Sequence, residues 1–242
     1  VSLYGIGSQF LILPFSSKEL SIGSHPTLFE HDPVNPSLYH AVEDRPSLSF
    51  NQGTWFGDVG LTQAGYNFEK NNVITHFGFK YSGITDLEFR NDSPSDSPLS
   101  YFSSFGLSFD AGKAFIRGNQ RYGISISYVH FGIFTYESRG LGLNFGYSRD
   151  FLNKTKVGIV IQNVGKMSEL QTDDILLPQR ILLGCSKEFK FNQIKNSVYT
   201  SIEKNSLISS AKIHVGNHFN WTRFNLYSGF SSSTGVMESS IG

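Results

Sequence analysis

Cysteine is nearly absent from this chain of 242 residues, and its scarcity excludes two kinds of cross-link. The single cysteine, Cys185, rules out a disulfide within the chain, and without a second cysteine it cannot form a thiolate zinc site. Its neighbours are the apolar and small residues of an alternating segment. We therefore expect Cys185 to be a small packing residue, buried or facing lipid, and not a reactive thiol.

Long apolar runs and charge are also scarce. No stretch approaches the roughly 18 consecutive apolar residues that a membrane-spanning helix needs. Charged residues make up 17% of the chain, against about 25% in a typical soluble domain. Lysine plus arginine and aspartate plus glutamate number 20 each, so the net charge is zero. Because a nucleic-acid binder usually has a basic excess, we expect no nucleic-acid partner.

A targeting segment is missing from the start of the sequence. The sequence begins at Val1 and has no positively charged lead followed by an apolar core, which together make up a secretory signal peptide. We expect that a signal peptide has been removed or lies outside this sequence.

Glycine and aromatic residues are abundant instead, with 24 Gly, 22 Phe and 11 Tyr. Both suit strands and tight turns better than helices. Residues 122–128 read Tyr-Gly-Ile-Ser-Ile-Ser-Tyr, so large apolar residues alternate strictly with Gly or Ser. The same alternation recurs in residues 77–81, 105–110, 141–148, 157–159 and 213–216. A period of two places one set of side chains on each face of a sheet, so the pattern predicts an all-β fold.

About twelve strands are predicted from this alternation. We place them at residues 46–52, 57–69, 73–82, 101–117, 121–132, 139–149, 155–162, 180–189, 196–203, 209–219, 222–231 and from about 235 onward. No window of comparable length has the 3.6-residue period of a helix, and only residues 16–20 are predicted to form a short helical turn.

The predicted connections alternate between short and longer ones. Short turns fall at 69–72, 118–120, 150–154, 190–195 and near 220, and longer connections fall at 83–100, 133–138, 163–179 and 204–208. Outer-membrane barrels have short turns on one rim and longer loops on the other. Residues 91–98 are polar and rich in Ser, Asp and Pro, as a solvated outer loop should be.

The strand face opposite the large apolar residues carries Gly, Ser and Asn, which suits a narrow lumen or a packed interior. A soluble β-sandwich would carry Lys, Glu and Thr there. The six steps from Tyr122 to Tyr128 span about 20 Å before tilt, which matches an apolar band between aromatic girdles. We predict an antiparallel transmembrane β-barrel over residues 46–242. A soluble β-sandwich whose apolar face forms its core is the alternative.

Residues 1–45 differ from the rest of the chain. Five of the eight prolines lie here or at the boundary, namely Pro14, Pro26, Pro33, Pro36 and Pro46. Residues 10–15 read Phe-Leu-Ile-Leu-Pro-Phe and are too apolar to remain solvated. We therefore predict an irregular, plug-like segment that packs inside or beneath the barrel, and not a disordered leader.

Short motifs in a fixed order give the chain a resemblance to a known family. Residues 10–23 contain Leu13-Pro14 and end in Gly23, and Asn35-Pro36 follows. Residues 160–165 read Val-Ile-Gln-Asn-Val-Gly and precede Leu177-Pro178. In this order the motifs resemble the PorV/PorQ family of outer-membrane proteins, and they are closest to its PorQ branch. The motif residues are Leu13, Pro14, Gly23, Asn35, Pro36, Asn163, Val164, Gly165, Leu177 and Pro178.

The resemblance implies a structural role for these residues and a barrel like that of the fatty-acid transporters, with fourteen strands. Our count is about twelve, and the sequence stops at Ile241-Gly242 in mid-strand without a terminal aromatic residue. We therefore expect one or two further strands in the complete protein. The family's acidic, Ala-rich stretch before Asn35-Pro36 is shortened here to residues 31–34.

The same resemblance implies a place in the type IX secretion pathway of Bacteroidota-like bacteria. The chain would lie in the bacterial outer membrane, in contact with membrane lipid, and would bind protein partners of a cell-surface attachment complex. Composition and periodicity do not bear on this function.

Catalytic and metal-binding patterns are missing. His214 and His218 would share one face of a strand but lie about 13 Å apart, too far for one ion. Asp173-Asp174 lacks the oxygen-rich spacing of a calcium loop, and Gly-x-Ser-x-Gly is absent. The irregular segment holds a second group, which we interpret as surface or capping residues with a metal site as the alternative: His25, Glu30, His31, Asp32 and His40. We predict no enzyme activity, no cofactor and no metal.

Two functions of the predicted barrel remain open. The first is a non-enzymatic barrel of a secretion complex that binds protein partners. The second is a transporter of hydrophobic solutes such as long-chain fatty acids, which would have a hydrophobic lumen ligand. A polar, plugged lumen with large outer loops would favour the first, and a lumen lined by Leu and Phe with a side opening would favour the second. A soluble binding module is a third interpretation, which the alternating loop lengths disfavour.

Overall fold

Twelve antiparallel strands form one sheet, in which each strand pairs with its neighbours in chain order. The structure is a computed structural model that describes residues 7–23, 27–30, 33–41, 45–55, 58–90, 97–208 and 210–233, with the backbone of 236–241. The strands are β1 Ser47–Trp55, β2 Val59–Lys70, β3 Val73–Phe89, β4 Ser100–Arg117, β5 Gln120–Ile133, β6 Tyr136–Phe151, β7 Thr155–Met167, β8 Arg180–Phe191, β9 Ile194–Asn205, β10 Lys212–Trp221, β11 Phe224–Ser233 and β12 Val236–Ile241.

The predicted all-β antiparallel fold is confirmed. One sheet holds all twelve strands, whereas a β-sandwich divides its strands between two packed sheets. Strands β1 and β12 are the first and last of the sheet, and closure of the sheet into a barrel stays a prediction. In the part of the chain that the structure describes, no helix has the length and apolar character needed to cross a bilayer.

The two rims of the sheet carry connections of different length. We call one the short-turn rim, because two or three residues suffice there at 71–72, 118–119, 152–154, 192–193 and 222–223. Asn71 and Asn72 both have positive φ, at 54° and 59°, which suits a tight hairpin whose twist matches the strands. The opposite, long-loop rim carries the connections 90–99, 168–179 and 206–211.

The predicted long loop at 133–138 is wrong. Only two residues separate β5 from β6, and Phe134 enters the turn with a φ of 56°. The N–H of Phe134 donates to the carbonyl of Ser103 at 3.1 Å, which ties this turn to β4. Polar residues such as Glu137 indicated a loop, but they continue β6 because they pair with β5 at its end.

Two other predicted loops are shorter than expected because bulges let the strands continue. In β3 the pairing with β4 shifts after Ile84, and Asp86 has a φ of 59°. In β7 the pairing with β6 shifts near Asn163, which also has a φ of 59°. A bulge adds a residue to one strand without ending the ladder, so β3 reaches Phe89 and β7 reaches Met167.

The two faces of the sheet differ sharply in what covers them. Residues of the N-terminal segment, defined as the described residues 7–23, 27–30 and 33–41, lie against one face, which we call the inner face. In β5 this face carries the buried residues Gly123, Ser125, Ser127, Val129 and Phe131. The opposite, outer face is apolar and exposed. Among the described residues, 36 large hydrophobic side chains are exposed, whereas 17 hydrophobic residues are buried.

The described residues of the N-terminal segment form three short helical pieces. They are the 3₁₀ turn Gln9–Ile12, the helix α1 Ser17–Ser21 and the 3₁₀ turn Pro36–Leu38. The helical turn predicted at 16–20 is confirmed by α1. It begins with a capping box, in which the Ser16 hydroxyl accepts from the N–H of Glu19 at 3.2 Å and the Glu19 carboxylate accepts from the N–H of Ser16 at 3.2 Å.

Candidate functional site

A track of glycines crosses the inner face where the N-terminal segment lies. It runs through β4, β5, β6, β7, β8, β10 and β11 at Gly112, Gly123, Gly146, Gly158, Gly184, Gly216 and Gly229. A Cβ atom at Gly158 would lie 2.7 Å from Leu28 Cδ2, and one at Gly216 would lie 2.6 Å from Ile22 Cγ1. Carbon atoms in contact normally lie about 3.5–4.0 Å apart, so only glycine permits this approach.

Asn35 and Pro36 form the closest contact of the segment with the track. Asn35 is fully buried, and its Oδ1 accepts from the N–H of Ser37 at 3.0 Å and from its hydroxyl at 2.7 Å. The Asn35 amide donates to the carbonyl of Tyr147 at 3.4 Å. A side chain at Gly123 or Gly146 would overlap this turn. The Asn35-Pro36 motif therefore forms a turn that the Asn35 side chain stabilises, and this turn packs against β5 and β6.

Asn163 joins the long connection 168–179 to the inner face. Its N–H donates to Asn144 Oδ1 at 2.8 Å, and its side-chain amide donates to the carbonyl of Pro178 at 2.9 Å. Leu177, the residue before Pro178, is buried beside this contact. The Ser8 hydroxyl donates to the carbonyl of Leu176 at 2.6 Å, so the connection also contacts the N-terminal segment.

The apolar part of the interior is filled by the chain itself. Residues of the N-terminal segment pack with side chains of β2 and β5 and of the connection 168–179 in one buried cluster. Its members are Phe10, Leu11, Phe15, Leu61, Val129 and Leu177, with Leu13, Trp55, Val59 and Met167 packed against it.

A buried charge cluster lies on the inner face of β8, β9 and β10. The Glu203 carboxylate lies 3.8 Å from Arg180 Nη1 and 3.1 Å from His214 Nε2, and it accepts from the Asn205 amide at 2.8 Å. His214 Nδ1 lies 2.7 Å from the carbonyl of Gly23. The two ring nitrogens of His214 therefore contact a carboxylate of β9 and a backbone carbonyl of the N-terminal segment. The cluster thereby holds the N-terminal segment at Gly23.

A polar cavity of about 370 Å³ lies between the N-terminal segment and the inner face. Its lining includes Ser49, Gln63, Asn67 and Lys80 of β1 to β3. The Tyr39 ring closes one side and stacks on His76, with ring centroids 4.0 Å apart. Burial, together with the charge of Asp110, raises the pKa of the Tyr39 hydroxyl well above its usual value.

Two polar atoms in the wall of this cavity have no hydrogen-bond partner among the residues that the structure describes. They are Nδ1 of His40 and Oε1 of Gln63. Buried polar atoms are almost always satisfied, so these two are the positions where a bound water or a ligand would add a hydrogen bond.

The histidines and acids considered from sequence lie apart. Within the described residues, no group of three or more His, Cys, Asp or Glu side chains is arranged to hold a metal ion. His218 stacks on Tyr227, whereas His214 belongs to the charge cluster. Asp173-Asp174 is exposed in the connection 168–179. His25, His31 and Asp32 lie outside the described residues.

Most of the motif residues chosen from sequence meet on the inner face. Leu13 and Pro14 follow the first 3₁₀ turn, and Gly23 has a φ of 76°, with the position of its missing Cβ 2.8 Å from the carbonyl of Val215. A side chain at Gly165 would overlap the carbonyl of Leu141. Val164 is different, because its side chain lies exposed on the outer face.

Sequence reasoning missed Arg180 and Glu203 as members of the interior. The available signal was their position in the alternation, since both fall on the face that otherwise carries Gly, Ser and Asn. Arg180 also bonds Gln162, whose amide donates to the carbonyl of Val34 at 2.8 Å. These charged side chains therefore anchor the N-terminal segment, as the glycines do.

No protein-family model and no curated protein sequence matches this chain. The resemblance to the PorV/PorQ family therefore stays a prediction.

The glycine track makes the docking of the N-terminal segment sensitive to single methyl groups. We expect Gly123→Val to displace the Asn35-Pro36 turn, because its side chain would overlap that backbone. Limited digestion with trypsin should then cleave faster after Lys18. Gly53→Val is the matched control, since no atom lies within 4 Å of a Cβ at Gly53. Equal cleavage of both variants would show that the track does not hold the segment.

The charge cluster predicts a large cost for removing one partner. Glu203→Leu leaves Arg180 buried without its carboxylate, which should lower the free energy of unfolding by about 3–5 kcal/mol. The double variant Glu203→Leu with Arg180→Met should lose less. Glu188→Gln, which breaks solvent-accessible ion pairs, is the control and should cost about 1 kcal/mol or less. Urea unfolding in detergent measures all three, and a Glu203→Leu cost equal to the control would contradict the role of the cluster.

Proposed function

We propose that the chain is a non-enzymatic outer-membrane β-barrel of a type IX secretion or attachment complex, which binds protein partners at the cell surface. One observation carries the proposal: one face of the sheet is apolar and exposed, and the chain's own N-terminal segment covers the opposite face. The motif order described above supplies the type IX assignment, and the geometry supports a membrane barrel that is occupied inside.

The outer face supports a membrane location. Soluble monomers rarely expose a contiguous apolar surface larger than a few hundred Å², and large ones mark contact with membranes or partners. Near the short-turn rim the outer face carries an aromatic level at Phe68, Phe77, Phe115, Tyr122, Tyr147, Phe151, Phe189, Trp221 and Phe224. Toward the other rim it carries Tyr81, Tyr101 and Tyr128. Aliphatic residues such as Ile124 and Ile126 lie between, as in a bilayer band bounded by aromatic girdles.

The interior favours partner binding over transport of hydrophobic solutes. A transporter of fatty acids would need an open apolar passage, yet the apolar cluster is packed with Phe10, Leu11 and Phe15. The cavity of about 370 Å³ beneath the segment is lined mainly by hydroxyl, amide and charged groups. A plugged interior with a polar cavity matches the first of the two functions considered from sequence.

An aromatic surface on the long-loop rim is the best candidate for the partner contact. Phe89 and Phe134 stack with ring centroids 6.0 Å apart, and Phe102 meets Phe134 edge to face at 5.9 Å. Phe89 is 48% exposed and Phe134 is 55% exposed. Exposed aromatic residues are enriched in protein interfaces, where they supply much of the binding energy.

The membrane location predicts that a charge on the outer face is costly only between the aromatic levels. Ile126→Arg should destabilise the protein in phosphatidylcholine vesicles by about 2–4 kcal/mol, because the charge would lie near the bilayer centre. Leu152→Arg, in a fully exposed short turn, should change stability little. Urea unfolding from the vesicles measures both. If Ile126→Arg cost no more than Leu152→Arg, the outer face would not be in lipid.

Partner binding is tested by purifying the tagged protein from outer membranes of its native host and identifying accompanying proteins by mass spectrometry. We expect sortase-like or surface-attachment proteins, and we expect Phe89→Ser with Phe134→Ser to reduce their recovery several-fold. Leu152→Ser, on the opposite rim, is the control and should leave recovery unchanged. Recovery of the barrel alone with bound fatty acid would overturn the proposal in favour of the transporter.

A further inference from the structure

Cations and acids are sorted between the two faces of the sheet near the short-turn rim. The cations of the outer face are Lys70, Lys113, Arg117, Arg149 and Lys187, and all five are exposed. Each lies two residues from an outward side chain of its strand, as Lys70 does from Phe68 and Arg149 from Tyr147. We call these five residues the cationic belt.

The acids at the same level face inward. They are Glu69, Asp150 and Glu188 on the strands, with Glu30 on the N-terminal segment. Lys156 Nζ lies 2.5 Å from Glu30 and 3.4 Å from Asp150. Glu188 lies 3.1 Å from Lys154 Nζ and 2.8 Å from Lys195 Nζ. The inward charges therefore neutralise one another to a large extent.

The positive charges of the belt are not neutralised by neighbouring acids in this way. Among the residues that the structure describes, none of its five side chains forms an ion pair. At the long-loop rim the outward charges are of both signs, and two of the cations are paired, since Arg90 lies 2.6 Å from Glu88 and Arg139 lies 2.9 Å from Glu137. Near the short-turn rim the outward charges of the described strands are thus all positive, whereas the long-loop rim carries both signs.

Four residues of the belt lie at or beyond the aromatic level described above, and Lys113 lies beside Ile124, two residues nearer the strand centre than Phe115. The Arg149 guanidinium lies 5.1 Å from the centre of the Phe151 ring, and Lys187 Nζ lies 5.7 Å from that of Phe189. An aromatic girdle marks the level of lipid headgroups. Cations held against these rings would therefore lie beside the phosphate groups of a surrounding leaflet.

We propose that the cationic belt binds the phosphate groups of anionic phospholipids in the leaflet next to the short-turn rim. The inference rests on the membrane location in the proposed function. The cations lie on β2, β4, β6 and β8, so they alternate with strands that lack them and recur about every 10 Å. A spaced row around the sheet suits many separate lipid headgroups, whereas an acidic protein would meet a compact patch.

The belt is tested with a tryptophan placed inside it. In the background Trp55→Phe, Trp221→Phe and Phe189→Trp, the single remaining tryptophan lies beside Lys187. The protein is inserted into phosphatidylcholine vesicles that contain brominated phosphatidylglycerol or brominated phosphatidylcholine. Quenching of the tryptophan by the two brominated lipids gives their relative association constant.

We expect phosphatidylglycerol to be preferred roughly threefold to fivefold, a preference that falls as salt is added. The variant Lys70→Gln, Arg117→Gln, Arg149→Gln and Lys187→Gln should reduce the preference to about one. The control variant Arg90→Gln, Arg139→Gln, Lys166→Gln and Lys204→Gln removes the same charge from the other rim and should retain the preference.

The outcomes separate this inference from its premise. A blue-shifted tryptophan emission in vesicles with equal quenching by both lipids would overturn the belt and leave the membrane location intact. A preference that survives in the belt variant would also overturn it. Emission that keeps its solvent wavelength in every vesicle would overturn the membrane location and the belt together.

Discussion

The close approach of the N-terminal segment to the glycine track constrains the rest of the structure. Each strand from β4 to β8 offers a position without a side chain, and the segment occupies the space that those side chains would have filled. An extended chain crossing a sheet leaves its own polar groups in the interior. Asn35 and Asn163 satisfy backbone groups at such points, which explains why both are buried polar residues.

The buried charges of Arg180 and Glu203 also help to hold the N-terminal segment on the inner face. Removing Arg180 and Glu203 from water is costly, and the cost is offset only where each finds several partners. Glu203 meets Arg180, His214 and Asn205, and His214 in turn holds Gly23. Because the interior is closed by polar contacts as well as by the apolar cluster, little open apolar volume remains for a solute. This is the physical reason for favouring a barrel that binds partners over one that conducts hydrophobic molecules.

The neutral composition conceals a strongly uneven arrangement. Twenty cations and twenty acids cancel in the sequence, but the fold pairs inward Glu30, Asp150 and Glu188 with lysines, whereas the belt's five outward cations form no ion pair among the described residues. The exposed apolar side chains outnumber the buried ones among the described residues. Both features are costly in water, and both suit an environment that offers hydrocarbon between two levels of polar headgroups.

The period-two alternation alone determined the all-β class, the number of strands and which residues share a face, because neighbouring side chains in an extended chain must point to opposite sides. The sequence also predicted a short helical turn at 16–20, and the structure adds the capping box of Ser16 and Glu19 that begins α1. Local pattern could not decide where β3 and β7 end or where β6 begins, since bulges at Asp86 and Asn163 and the turn at Phe134 let polar residues continue a ladder.

Only the tertiary structure decided that the N-terminal segment lies on the glycine track, and that Arg180 meets Glu203. Those contacts join residues far apart in the chain, and no local spacing records them.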